Sequence, residues 1–225
     1  QACEAIGGDP TVFRKLQRVL NRAAIPNLTM WIIVAQVVVY LAVRAPLQGG
    51  AQAGLIEQMV LDPQQVYAGE WWRVVTFLAV PPAASPLWAI LSWYVFWIFG
   101  SALESFWGTF RYNAYLWLGV LATVVAAVAT GQGIVSNGFL GLTVFLGFAT
   151  LFPDFVIYLF FILPVRIRFL AALTWIFLGL AVLQGTFATI VTILSSVLNY
   201  FVFFGADLRD WLWYRARRMK YDAKR

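Results

Sequence analysis

Histidine is absent from this sequence, cysteine occurs once, and charged residues make up only 12% of 225 positions. The lack of histidine removes the commonest general base and the commonest transition-metal ligand. His-dependent catalysis, haem and zinc are therefore not expected, and no cofactor is assigned. Cys3 has no second cysteine to pair with, which excludes an intrachain disulfide. The shortage of charge has its counterpart in a 62% hydrophobic content and a mean hydropathy of +0.78. Soluble domains carry about 25% charged and about 45–50% apolar residues, so this is the composition of an integral membrane protein. Each membrane helix needs about 20 apolar residues to cross about 30 Å of hydrocarbon, and the length suits one domain of about five to seven such helices. The net charge of +6 gathers at the two ends of the chain, which fits anionic lipid on the cytoplasmic side and gives no sign of a nucleic-acid partner.

Three parts are expected: an N-terminal cytoplasmic helix (1–26), a membrane domain (27–206) and a basic cytoplasmic tail (207–225). Asp9 and Pro10 read as the N-cap and first-turn proline of a helix. On it Phe13, Leu16, Leu20 and Ala23 share one face, while Arg14, Lys15, Arg18 and Arg22 lie off it. Such a basic amphipathic helix is expected on the membrane surface, apolar side down. Six apolar segments follow, near 28–43, 86–103, 112–130, 138–152, 168–183 and 187–204. Between the first two, residues 44–85 hold Pro46, Pro63, Pro81 and Pro82 but also the apolar pieces LIEQMVL and WWRVVTFLAV. A structureless loop of that length is rare, so short interfacial or re-entrant helices are expected there, with Trp71 and Trp72 at headgroup depth. Pro153 and Pro164 bracket a short link between the fourth and fifth segments.

Basic residues orient the bundle. With both termini inside, Arg14, Lys15, Arg18, Arg22, Arg111, Arg166, Arg168 and the seven basic residues of the tail are cytoplasmic, and only Arg44 and Arg73 fall outside. This is the positive-inside pattern, and it puts the long loop after the first span on the outer side. A bacterial cytoplasmic membrane is the expected location.

Four pieces occur in a telling order: GEWWRVVTFLAV (69–80) in the outer loop, FGSALESFWGTFRY (99–112) closing the second span, a glycine-rich opening of the fourth span leading to LFPD (151–154), and FFILPVRIRFLAAL (160–173). Together they resemble the rhomboid superfamily, over residues 28 to about 215. The resemblance implies an all-α membrane protein, a six-transmembrane-helix bundle with a long outer loop after helix 1. It also implies that Trp72 and Arg73 lie in half-buried helices of that loop, and that Glu104 takes part in polar packing between helices. Proteases of the family carry a catalytic serine in a glycine-serine-glycine pattern at the start of the fourth span and a histidine base in the sixth.

At both catalytic points this chain departs from that pattern. Val135-Ser136-Asn137-Gly138-Phe139 stands where the serine belongs, and counting back from Leu151-Phe152-Pro153 puts Asn137 or Gly138 at the nucleophile position. The sixth span offers Ser195, Ser196 and Asn199 in place of histidine, and none is a base. A serine hydroxyl needs a neighbouring base to attack an amide, while Lys15, Lys220 and Lys224 all lie in the terminal segments. Ser136 therefore reads as a polar residue opening a helix, and the chain as a catalytically inactive member, derlin-like in kind. Asp154 and Asp207 fall near span ends and do not suggest the shared carboxylate pair of an aspartyl protease.

The polar groups left within the apolar body are Gln36, Glu104, Asn113 and Asn199, and such groups bond across helices for about 1 kcal/mol each. Glu104 and Arg111 would pair if the helix ran on through both. Gly138, Gly141 and Gly147 make a slender fourth helix that neighbours can approach closely. Trp31, Trp71, Trp72, Trp88, Trp107, Trp211 and Trp213 fall near boundaries as an aromatic belt, and lipid is the expected neighbour of the deeper Trp93, Trp97, Trp117 and Trp175. These features point to an inactive rhomboid-like protein that binds other transmembrane proteins as an adaptor or accessory subunit of a membrane complex. Trp72, Arg73, Asn137, Gly138 and Gly141 are the candidate partner-binding residues, with Glu104 and Asn199 as structural polar groups. The alternative is a membrane enzyme of lipid-directed chemistry, and a transporter ranks below both because no internal repeat is visible.

Overall fold

The computed structural model describes residues 24–44, 51–131, 137–159, 163–187 and 190–205. The segment carrying Arg14, Lys15, Arg18 and Arg22, the basic tail and Ser136 lie outside them. Nine helices appear among the described residues. They are α1 (Leu28–Arg44), α2 (Ala51–Met59), α3 (Pro63–Tyr67), α4 (Arg73–Thr76), α5 (Pro86–Trp107), α6 (Thr109–Thr130), α7 (Gly138–Leu151), α8 (Ile167–Gln184) and α9 (Ile190–Gly205). α4 runs into a 3-10 turn, Phe77–Ala79. Helices α5, α6 and α8 are long and apolar enough to cross a membrane, while α1, α7 and α9 are apolar but shorter. This is a helical membrane protein, and its six apolar helices overlap the six apolar segments of the sequence.

The remaining regular structure is a two-stranded antiparallel ribbon, β1 (Val156–Leu159) with β2 (Leu163–Arg166), in which Tyr158 pairs Pro164. The short link expected between Pro153 and Pro164 is thus partly extended. Its run of β-branched and aromatic residues favours strand, and a ribbon with both outer edges open tolerates a proline that cannot donate. At its base Asp154 lies 3.7 Å from Arg166 and 3.6 Å from Arg168. All three are exposed, so these pairs contribute little.

Large apolar side chains face outward along every long helix, among them Val38, Ile90, Leu121, Phe177 and Val202. The core lies instead where α5, α6 and α7 meet, around Phe99, Leu103, Tyr112, Tyr115, Leu146 and Phe148. Phe99 stacks on Phe148 with ring centroids 4.5 Å apart. The closest helix approach is at Gly100. A Cβ there would stand 2.4 Å from Thr29 Oγ1 and 2.6 Å from Tyr112 Oη, and the two hydroxyls are hydrogen-bonded to each other. Three helices therefore converge on one missing methyl group, as small residues permit between membrane helices.

Between α5 and α6 stands Gly108, with φ 80°, a left-handed backbone that suits glycine. The break defeats the expected Glu104–Arg111 pair, which required a continuous helix. Glu104 instead accepts the backbone N–H of Asn27 at 3.0 Å, and the Asn113 amide donates to the Ile25 carbonyl at 3.0 Å. Both side chains hold the turn that leads into α1. Adding a methyl at Gly100 forces Thr29 and Tyr112 apart, so Gly100→Ala should cost about 1–3 kcal/mol, seen as a lower thermal midpoint in detergent. Gly141→Ala, with nothing within 4 Å of the added Cβ, should leave the midpoint unchanged or raise it.

Candidate functional site

The loop between α1 and α5 is organised by Arg73. Its residue is 5% exposed, and a buried guanidinium needs its donors matched. Its Nε lies 2.6 Å from Glu70 Oε2, and its Nη1 donates to the carbonyls of Glu57 and Val60, the latter at 3.1 Å. Thr76 Oγ1 donates to the Met59 carbonyl at 3.2 Å. These carbonyls are at or just past the C-terminus of α2, where a helix leaves acceptors without internal partners and where positive charge is favoured. Arg73 and Thr76, three residues apart on α4, thus cap α2. The next helix begins with a cap of its own: Asp62 Oδ1 accepts the Gln64 N–H at 3.0 Å, with Pro63 in the first turn.

From α4 the chain descends into the bundle. Gln36, midway along α1, donates Nε2 to the Leu78 carbonyl at 3.0 Å. Asn137, at the N-terminus of α7, donates Nδ2 to that same carbonyl at 3.1 Å and to the Val80 carbonyl at 2.7 Å. Trp93 of α5 completes the set, its Nε1 donating to Gln36 Oε1 at 2.9 Å. Helix α7 has 14 residues and so rises only about 21 Å, short of the about 30 Å of a hydrocarbon core. Its N-terminus and the Phe77–Val80 turn meet beside the middle of α1. Irregular backbone beside such a helix is tolerated where its polar groups find partners inside the protein.

Beside this network lies a cavity of about 380 Å³ between α5 and α7, lined by Gln36, Ser92, Trp93, Phe96, Asn137 and Gly141 together with Pro82, Gly138, Leu140 and Leu142. None of these residues titrates near neutrality. Gly141 is exposed at the cavity. No neighbour comes within 4 Å of where its Cβ would stand, so the close approach expected along α7 does not occur there. It does at Gly147, where Tyr115 Oη would lie 3.3 Å from a Cβ.

The structure gathers Asn137, Gly138 and Gly141 at one cleft and leaves the other candidates elsewhere. Arg73 is turned into the loop, while Trp72 beside it is 55% exposed. Glu104 sits by the turn before α1. Asn199 is fully buried, its Nδ2 donating to the Tyr115 carbonyl at 3.1 Å. Gly119 makes room for it, since a Cβ there would be 2.7 Å from that nitrogen. The reading of the sequence missed Ser92 and the bond of Trp93, which is half-buried with its ring centroid 5.5 Å from that of Tyr40, edge to face, and not simply lipid-facing. Trp107 packs on Tyr115 and Phe204 with ring centroids 5.2 and 5.3 Å apart. Gln36 and Trp93 lie 57 residues apart in sequence, and nothing local to either marks the pair.

Comparison with known proteins yields no matching family model, no matching curated protein and no matching solved structure.

Asn137→Asp presents an acceptor to two carbonyls in place of a donor, and should cost about 2–3 kcal/mol, more than Asn137→Ala. Faster amide hydrogen exchange confined to residues 74–80 and the start of α7 is the expected signature. Arg73→Lys cannot reproduce the forked geometry, and should speed exchange in α2 while leaving α5 and α6 protected.

Proposed function

We propose that this chain is a rhomboid-like integral membrane protein without protease activity, one that binds transmembrane partners as an adaptor or accessory subunit of a membrane complex. The order of its motifs supports the resemblance. The observation that carries the reading is the use made of two amides. Asn137 is, with Gly138, one of the two residues that the motif count puts at the nucleophile position of the resembling proteases, and both its donor contacts go to loop carbonyls. Asn199 stands in the helix that would supply the base, and it is committed to the Tyr115 carbonyl. Covalent catalysis needs a nucleophile beside a proton acceptor, and a carboxamide is neither. Architecture occupies the positions that chemistry would need. On this reading all six apolar helices cross a bacterial cytoplasmic membrane with both termini inside, the shorter three being short spans within the bundle.

Helix α8 is the surface such a partner would use. Ile167 is its one buried residue among those described, and Phe169, Leu173, Ile176, Leu180 and Leu183 are all exposed. Their four-three-four-three spacing is the seam of a helix pair. In lipid an apolar face gains nothing by leaving solvent, so association depends on close packing. Gly179, open to within 4 Å, lets a second helix approach that seam. A photoreactive residue at Ile176 or Leu180 should yield a discrete protein adduct in native membranes, whereas one at Trp175, which packs on Tyr200 and Phe201, should not. Gly179→Phe should lower the adduct about tenfold. Adducts to lipid alone would remove the partner-binding reading, and specific cleavage of a membrane client, lost in Ser136→Ala, would remove the claim of inactivity.

A further inference from the structure

We propose that the cleft between α5 and α7 holds one acyl chain of an ester-linked membrane lipid, with the Ser92 hydroxyl donating a hydrogen bond to the ester carbonyl. The site is separate from the partner surface on α8 and does not depend on it.

Size comes first. The cavity's volume of about 380 Å³ lies within the about 300–1,000 Å³ usual for small-molecule sites, room enough for a single extended chain. The lining comes second. Phe96, Leu140 and Leu142 supply apolar walls, and no cation or carboxylate is present to recognise a charged ligand. Mostly apolar walls with a few placed polar groups are the usual form of a small-molecule site. The third observation is the state of those polar groups. Gln36, Trp93 and the Asn137 amide nitrogen are engaged with one another and with the loop carbonyls. Ser92 is different. Ser105, Thr150 and Thr174 return their hydroxyls to the carbonyl four residues back on their own helix, as hydroxyls in apolar helices commonly do. Ser92, half-buried on the cavity wall, has no such bond and no other partner among the described residues. Gly141 supplies the way in, because its missing side chain leaves open space beside the walls.

The test uses the full chain reconstituted in vesicles of phosphatidylethanolamine and phosphatidylglycerol, doped with a phosphatidylcholine that carries a diazirine midway along one acyl chain. After irradiation, adducts should concentrate on Phe96 and Leu140–Leu142 relative to the exposed face of α8. Gly141→Phe, which starts from a Cβ with nothing within 4 Å and adds a ring beside the cavity, should remove the cleft adducts while those on α8 persist. Ser92→Ala should reduce cleft labelling about fivefold, the worth of one hydrogen bond, with unchanged elution on size exclusion. Added unlabelled phospholipid should compete and palmitate should not. Even labelling of all exposed faces, or cleft labelling indifferent to Gly141→Phe, overturns the proposal. Competition by palmitate but not by phospholipid overturns the assignment of an ester.

Discussion

The meeting of the loop with α1, α5 and α7 answers to two backbone carbonyls. Leu78 and Val80 lie where the loop turns beside the middle of α1, and an acceptor left bare in such a place costs about 1–3 kcal/mol. Gln36 and Asn137 satisfy them. The consequence is geometric. Asn137 must stand beside them to donate, so α7 starts there and is short. Gln36 must face the loop, and Trp93 then fixes its amide by taking the oxygen. The cleft beside them exists because a turn of loop, and not a full helix, fills the space above α7.

The packing of α1, α7 and α9 obeys a different rule, with α6 as its hub. Tyr112 reaches Thr29 of α1, Asn113 reaches the Ile25 carbonyl before it, and Tyr115 donates to the Thr143 carbonyl of α7 at 2.7 Å. The Tyr115 carbonyl in turn receives Asn199 of α9. About one turn of helix thus bonds to three neighbours. Such bonds average less than about 1 kcal/mol in membranes, so their role is to set rotation and height while Phe99, Leu103 and Phe148 supply the packing. Gly100 and Gly119 are the complement of these side chains, each placed where a neighbour's polar group would otherwise collide.

The apolar segments and the short helices of the loop were legible because each rests on composition or local spacing. Helix ends were legible in the same terms. The Asp-Pro pair read as a helix start at Asp9 lies outside the described residues, yet the same pair at Asp62-Pro63 does cap a helix and could have been read likewise. What escaped was whatever depends on a partner distant in sequence. Nothing local marks Gly100 as the meeting point of three helices, or Arg73 as the cap of a helix that ends fourteen residues before it. Glu104 and Arg111 failed as a pair for a local reason, since Gly108 lies between them and its positive φ ends the helix.

A gradient of side-chain size along α5 and α7 explains why the two helices part. Toward the C-terminal ends of the two helices Phe99 meets Phe145 and Phe148 and the gap is filled. Toward their N-terminal ends Ser92 and Gly141 line the cavity and the gap stays open. To bring α7 against α5 there, Asn137 would have to leave the carbonyls of Leu78 and Val80, and an acceptor left bare inside a protein costs about 1–3 kcal/mol. Hydrogen bonds to the loop thus hold the two helices apart, and the cleft is a consequence of how the loop is satisfied.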